Sequence, residues 1–261
     1  MCNPQCIEFV SSSLARHDVE GRRVLEVGAL DVNGSVRPYI EKLEPADYVG
    51  VDVVSGPGVD VICRVEGLVA QFGAGTFDVV VSTELLEHVA DWHSAVHNLK
   101  SVVAPGGIVV LTTRSLGSPF HGYPDDYWRF EPNDLRVIFA DCHIDRLDRD
   151  DSGDPGVFLK VVVPPGVANL DLSGYALHSM LVGRRLVSAE EAERLLALER
   201  AVAEGEERLR LERHRNSELT ANLAPLEADR QELARLRETK TMRYTASLRR
   251  AYGWLLSGRR R

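Results

Sequence analysis

The sequence predicts an α/β fold, a doubly wound and mostly parallel sheet followed by a C-terminal helical or coiled-coil extension, and three observations carry that prediction. Short β-branched segments bounded by Gly, Asp or Pro alternate with helical patterns. The short segments are apolar along nearly their whole length, as strands buried on both faces are. From about Ser188 the composition turns to Glu, Arg, Leu and Ala, with Gly205 as the lone early glycine, which reads as long helix.

Residues 23–28, 47–52, 77–82 and 107–113 are the strands in order, with helical patterns between them at about 34–43, 66–72 and 91–103. The last of these sets Trp92, Ala95, Val96, Leu99, Val102 and Val103 on one apolar stripe. A further run, 157–163, follows the polar segment 142–151 and precedes Pro164-Pro165. It is expected as a late antiparallel strand with 152–156 as its turn. In the extension, Leu195, Val202, Leu209, Asn216 and Leu223 recur every seven residues beside Leu198, Leu219, Leu226 and Leu233. Gly205, Glu212 and Arg230 are defects in that coil, and Pro225 is expected to break or kink it. A single amphipathic helix packed on the body and a dimeric coil, hence a homo-oligomer, both stay open. The expected division is 1–186 for the body, 187–240 for the helical extension and 241–261 for a tail.

Composition narrows the function. Of 261 residues, 44% are hydrophobic and 27% charged, ordinary globular values that exclude wholesale disorder and a small disulfide scaffold. No run reaches the roughly 18 apolar residues of a spanning helix, and the start has no signal-peptide pattern, so a cytoplasmic protein is expected. Four scattered cysteines agree with a reducing compartment, and Cys2 and Cys6 have no second pair to complete a metal site. Basic and acidic residues number 15 and 26 in 1–186, 10 and 13 in 187–240, and 6 and 0 in 241–261. An acidic body excludes nucleic acid as the expected partner and suits a cationic ligand. The tail places Tyr244, Leu248, Ala251, Tyr252 and Leu255 at helical spacing among arginines. Docking peripherally to an anionic membrane or to a glycan enzyme is its functional reading, a partly disordered end the plain one.

The chemistry gathers at strand ends. The first strand runs into Glu26, Gly28, Asp31 and Gly34, where glycine permits a tight turn and close approach of a ligand. Two carboxylates there are wrong for a pyrophosphate and right for an ammonium or sulfonium. Asp52 ends the second strand, where doubly wound folds accept two ribose hydroxyls. The fourth strand ends in Ser82-Thr-Glu84-Leu-Leu-Glu87-His88-Val89, and Pro105-Gly106-Gly107 turns the next helix into a strand.

With these segments in order, residues 20–165 resemble the Rossmann-like S-adenosylmethionine-dependent methyltransferases of the subgroup with an "LLEHV" segment and a "PGG" turn. The resemblance implies a seven-stranded sheet with its last strand antiparallel. It implies S-adenosylmethionine as cofactor, with Glu26, Gly28, Asp31 and Gly34 around its methionine part, Asp52 on the ribose and Glu84 beside it. Two features depart from the family: Arg64-Val65 stands where Asp-Ala often binds adenine, and the glycine loop lacks its middle glycine.

The segment after the fifth strand, His121-Gly-Tyr-Pro-Asp125-Asp126-Tyr-Trp128-Arg-Phe130, resembles a stretch of methyltransferases of bacterial polysaccharide and glycan synthesis. A sugar O-methyltransferase with a carbohydrate substrate is therefore expected, with Trp128 and Phe130 either gripping the sugar or anchoring the loop. A small-molecule or lipid methyltransferase, or an inactive scaffold that recruits glycan enzymes, are the alternatives. A protonated hydroxyl is a poor nucleophile, so a base or a metal is needed. His121 and His88 are the base candidates, with Asp125 or Asp126 orienting the imidazole, and Mg²⁺ on Asp125, Asp126 and substrate oxygens is the metal alternative. His93 and His97 share a helix face without a completing carboxylate and read as a solvated face.

Overall fold

The computed structural model describes residues 4–122, 125–151, 153–165 and 170–257. Cys2, Tyr123, residue 152 of the expected turn and the last three arginines of the tail lie outside the described residues. The chain forms two compact units, residues 1–196 and 197–261.

In the first unit, α1 (Pro4–Ser13) and α2 (Arg16–Val19) precede β1 (Arg23–Val27), α3 (Arg37–Glu41), β2 (Asp47–Asp52) and β3 (Val61–Ile62). There follow α4 (Leu68–Phe72), β4 (Phe77–Thr83), α5 (Trp92–Ser101), β5 (Val103–Arg114), β6 (Trp128–Arg129), α6 (Pro132–Ile138), β7 (His143–Asp150) and β8 (Gly156–Val162). Then come β9 (Leu177–Ser179) and β10 (Arg184–Leu186). The main sheet has seven strands in the order β3-β2-β1-β4-β5-β8-β7, and β10-β9-β6 form a small second sheet. The strands β1 to β5 run parallel, whereas β8 lies antiparallel between β5 and β7. This is the expected doubly wound sheet, and strand order reverses between β1 and β4, where such folds open a crevice at the carboxyl edge.

Both faces of the sheet are packed, which is why its strands read as unbroken apolar runs. Leu25, Val27, Val80, Val109 and Leu111 share a core with Trp92, Ala95, Val96 and Leu99 of α5. Val24, Val79, Val81 and Val110 meet Phe9 and Val10 of α1 and Ile40 of α3 on the other face. The α5 helix begins where the Asp91 side chain accepts from the Ser94 amide at 3.1 Å, satisfying one of the first-turn donors. Residues 104–107 do not precede β5 as a turn but interrupt it as a bulge: Phe77 pairs with Val103 and Val79 with Ile108, with Gly106 at φ 83°.

Segment 142–151, polar in sequence, is the edge strand β7. At an edge one side needs no apolar face, and charged residues there discourage strand addition. Three short strands, β6, β9 and β10, were also hidden by their two or three residues.

Helix α7 (Ala189–Glu238) continues through Pro225 without a break, and α8 (Lys240–Ser257) follows. The expected break is thus absent, and the start of α7 joins the core of the body, with Ala189 and Ala192 in it and Leu195 packed against it. In the second unit Leu209, Leu219, Leu223, Leu226 and Leu233 are exposed. No described helix is long and apolar enough to cross a membrane.

Candidate functional site

The carboxyl ends of β1, β2 and β4 share one edge of the sheet, so the residues after each strand meet there. After β1, Gly28 adopts φ 83°, and a Cβ on it would come within 3.3 Å of the Leu85 side chain. That close approach requires glycine. Gly34 has φ 123°, and its amide donates to Asp31 Oδ1 at 2.9 Å, so Asp31 shapes the loop from an exposed position. Asp52 Oδ2 accepts from the Leu30 amide at 3.2 Å and Oδ1 from the Val54 amide at 3.3 Å, which ties the second strand end to the first loop.

Glu26 is buried within this corner and accepts a 2.6 Å bond from the Tyr48 hydroxyl. Burial pushes its carboxyl up to about 7, against the pull of Tyr48 and Arg37. Arg64, at the position of doubt for adenine, is exposed and paired with Glu66 at 3.2 Å, while Val65 is buried.

Glu84 departs from the sequence reading. It sits at φ 54° at the end of β4, and its carboxylate is buried against Arg114 and accepts from Cys6 Sγ at 3.3 Å. Burial and the neighbouring Glu87 charge push it well above the carboxylate range, against Arg114. Its carboxylate is engaged inside the protein, at the carboxyl end of β4.

One turn further, a 3₁₀ turn over Leu86–His88 brings Glu87 and His88 together, and the loop after β5 adds His121. Glu87 is completely buried; its Oε2 accepts from Thr113 Oγ1 at 2.8 Å. Its Oε1 lies 4.0 Å from His88 Nε2 and 3.9 Å from His121 Nε2, and the two imidazole rings stand edge to face at 4.9 Å. His88 Nδ1 meets the Asp125 carbonyl at 2.5 Å; a carbonyl only accepts, so the ring hydrogen sits on Nδ1. His121 Nδ1 faces Asp126 Oδ2 at 3.3 Å and the Pro119 carbonyl at 3.2 Å, which fixes the same tautomer.

The electrostatics follow. Asp126, then Glu87, push His121 up to about 10, so it is protonated at neutral pH. Burial works to raise Glu87, but His121 and His88 outweigh it and hold the carboxyl at about 2. His121 as it stands has no free lone pair for a substrate proton, which corrects the expectation that it is the base.

Asp125 and Asp126 do not converge on a cation. Asp126 is fully buried, with Oδ1 on Arg129 Nη1 at 2.5 Å and Oδ2 on Nη2 at 2.7 Å. Asp125 is exposed and reaches the site through its backbone carbonyl. The pair therefore does not fit Mg²⁺. Trp128, Arg129 and Phe130 are also fully buried, Trp128 donating from Nε1 to the Val89 carbonyl at 3.0 Å. They anchor the loop, and the aromatic faces expected to grip a sugar are inside the core. His93 stacks on Trp92 at 3.7 Å and bonds the Leu172 carbonyl through Nε2 at 2.8 Å, whereas His97 is exposed.

Sequence reasoning missed Glu87. Its signal was a carboxylate immediately before His88 in an otherwise apolar segment, a residue that burial obliges to find charged partners.

A family model described as a methyltransferase domain matches residues 4–144, more than half of the chain. The ubiquinone biosynthesis O-methyltransferase of Chromobacterium violaceum is 32% identical over 126 residues, 42% of this chain and 51% of that protein. The protein of the same name from Azotobacter vinelandii is 35% identical over 125 residues, again 42% and 51%. The chain spans about half the length of these curated relatives. Among solved structures, Burkholderia thailandensis 1,6-didemethyltoxoflavin-N1-methyltransferase, with 1,6-didemethyltoxoflavin and S-adenosylhomocysteine bound, matches with a TM-score of 0.50 at 17% identity. That match covers 61% of this chain and 78% of the other, and it is a likeness of fold.

Proposed function

This chain belongs to the methyltransferase-domain family, matched over residues 4–144, and from that premise we propose that it transfers a methyl group to a hydroxyl on an aromatic ring. The enzyme is an S-adenosylmethionine-dependent methyltransferase. The observation that carries the acceptor reading is the convergence of Glu87, His88 and His121 on one point at the carboxyl edge of β4, the edge that also holds Asp52 and the Gly28 loop.

The reaction is an in-line displacement. The acceptor oxygen attacks the methyl carbon, the O–C bond forms as the S–C bond breaks, and sulfur keeps the pair and leaves as a neutral thioether. Holding oxygen and methyl in line supplies on the order of 7–11 kcal/mol. Glu26 and the Gly28 loop receive the cationic methionine part, and Asp52 the ribose. At the acceptor, His88 Nε2 is the basic atom towards which the hydroxyl proton leaves, while the buried Glu87 carboxylate and protonated His121 balance each other's charge.

Two observations favour an aromatic acceptor over a sugar. The relatives named for ubiquinone biosynthesis methylate oxygen in the making of a quinone. The loop after β5 exposes Phe120 at 61% and Leu116 at 41%, while its carbohydrate-suited Trp128, Arg129 and Phe130 are in the core. Labelled methyl transfer across a panel of phenols, catechols and glycans tests this reading. Label on a phenolic oxygen is the expected product; label on a sugar hydroxyl returns the polysaccharide reading, and label on nitrogen or carbon ends the O-methyltransferase one.

A further inference from the structure

We propose that Glu87, His88 and His121 form a binding site for a divalent transition-metal ion of the zinc type, which holds and acidifies the acceptor hydroxyl. The inference deepens the O-methyltransferase reading and rests on it for the role of the ion, though not for the site itself.

The geometry has the features of a ligand set with its outer partners in place. Three donor atoms, one from each residue, lie within 4.8 Å of one another. Both imidazoles turn Nε2 inward, and both give their outer Nδ1 hydrogen to an oxygen, His88 to the Asp125 carbonyl and His121 to Asp126 and the Pro119 carbonyl. Metal-bound histidines are held in this way, which fixes the tautomer and aims the second nitrogen. Asp126 is itself clamped by Arg129, so the orientation is set two shells deep. The outer oxygen of Glu87 is likewise engaged by Thr113.

The inner atoms are different. Glu87 Oε1 and His121 Nε2 are buried and have no hydrogen-bond partner; without an ion His121 carries a proton at Nε2, and the ion takes its place as that proton leaves to solvent. A buried carboxylate oxygen left without a hydrogen-bond donor is costly, a cost that an ion at the focus of the three atoms removes. Around a tetrahedral ion at about 2.0–2.1 Å the donors stand about 3.3 Å apart. The separations of 3.9 and 4.0 Å from Oε1 therefore need to close by roughly 0.6 Å, and the widest pair, within 4.8 Å, by up to roughly 1.5 Å, the reach of a side-chain rotation.

Two imidazoles and one carboxylate suit zinc or a similar first-row ion, whereas Mg²⁺ takes oxygen donors. Three protein ligands leave a fourth position open, as catalytic zinc sites do. With the ion bound, Glu87 Oε1 and His88 Nε2 are ligands and no longer bases, so the acceptor hydroxyl takes the fourth position and its proton leaves to solvent water. Its oxygen then attacks the methyl carbon, with the same bonds made and broken as above.

The test uses the full chain, stripped with a chelator and titrated with Zn²⁺, with Co²⁺ as a spectroscopic probe. One Zn²⁺ per chain is expected, with Co²⁺ visible absorption of a low-coordinate N/O site. Glu87→Gln and His121→Gln should each weaken Zn²⁺ binding by about 100-fold or more, with S-adenosylmethionine affinity unchanged as proof of folding. If Glu87→Gln does not fold, His88→Gln gives the same reading. Absence of stoichiometric Zn²⁺ binding, or equal affinity in folded variants, overturns the site. Methyl transfer to a hydroxyl that persists in chelator without Zn²⁺ binding removes the ion and leaves the proposed function. Zn²⁺ binding without transfer to any hydroxyl removes the function and leaves the site.

Discussion

Glu26 sets burial against charge, and pH decides between them. Its carboxyl, raised by burial from 4.5 to about 7, keeps its proton in the folded chain after the unfolded chain has lost it. Stability without cofactor should therefore fall as pH rises from about 4.5 to 7, by on the order of 3 kcal/mol, and change little from this group above. Urea unfolding of Glu26→Gln should lack that fall, so its advantage over the wild type grows across this window and then levels. Cofactor binding carries the opposite dependence: an ammonium prefers the ionised carboxylate, so S-adenosylmethionine affinity should rise through pH 7 in the wild type and stay flat in Glu26→Gln. A flat wild-type profile would separate Glu26 from the methionine group. At Asp52, removal of a charge-assisted acceptor worth about 1.5–3 kcal/mol predicts roughly ten- to a hundredfold weaker cofactor binding in Asp52→Ala, measured by calorimetry. The tight turn at Gly28 and the strand-end place of Asp52 were legible because backbone conformation and strand position constrain them. The fate of Glu84 was not, since nothing local foretells that Arg114 lies 30 residues on and pairs with it across adjacent strand ends.

Elements were legible where burial wrote them into the sequence. The four apolar strands and the Trp92 stripe of α5 stand where periodicity places them, because both are packed between layers. The β7 strand was not, since the alternation His143-Ile-Asp-Arg-Leu-Asp-Arg-Asp carries charge on an edge that packing does not dictate. The extension gives the opposite lesson. Its leucines keep a seven-residue spacing on an exposed helix, and Pro225 is tolerated within it. In α8 the exposed Tyr244, Leu248 and Tyr252 share a face while Arg243 and Arg250 stand on the other, the pattern of a helix lying in an anionic lipid surface. The full chain should sediment with anionic vesicles and a chain ending at Thr239 should not, while both bind S-adenosylmethionine equally. Equal sedimentation would remove this role, and lost cofactor binding in a folded shortened chain would place the tail in the active site.

At the scale of the molecule, a sheet whose order reverses between β1 and β4 brings the Gly28 loop, Asp52 and the Glu87–His88–His121 cluster to one edge. The sequence made the first half plain, because it is built from consecutive segments. The second half joins residues 26 and 34 positions apart, Glu87 to Thr113 and His121, and only the fold could bring them into reach. The polysaccharide expectation failed to gain support for a related reason: the residues that read as a sugar platform, Trp128 and Phe130, are what holds the loop in place. The most direct measurement is the single-turnover rate of methyl transfer to a phenolic acceptor at saturating S-adenosylmethionine, in the wild type and in Glu87→Gln. The account predicts a rate about 10²–10⁴-fold lower in the variant with cofactor affinity unchanged, because Glu87 holds and charges the His88–His121 cluster that meets the hydroxyl in the transition state. A folded Glu87→Gln enzyme that transfers methyl at the wild-type rate would contradict it.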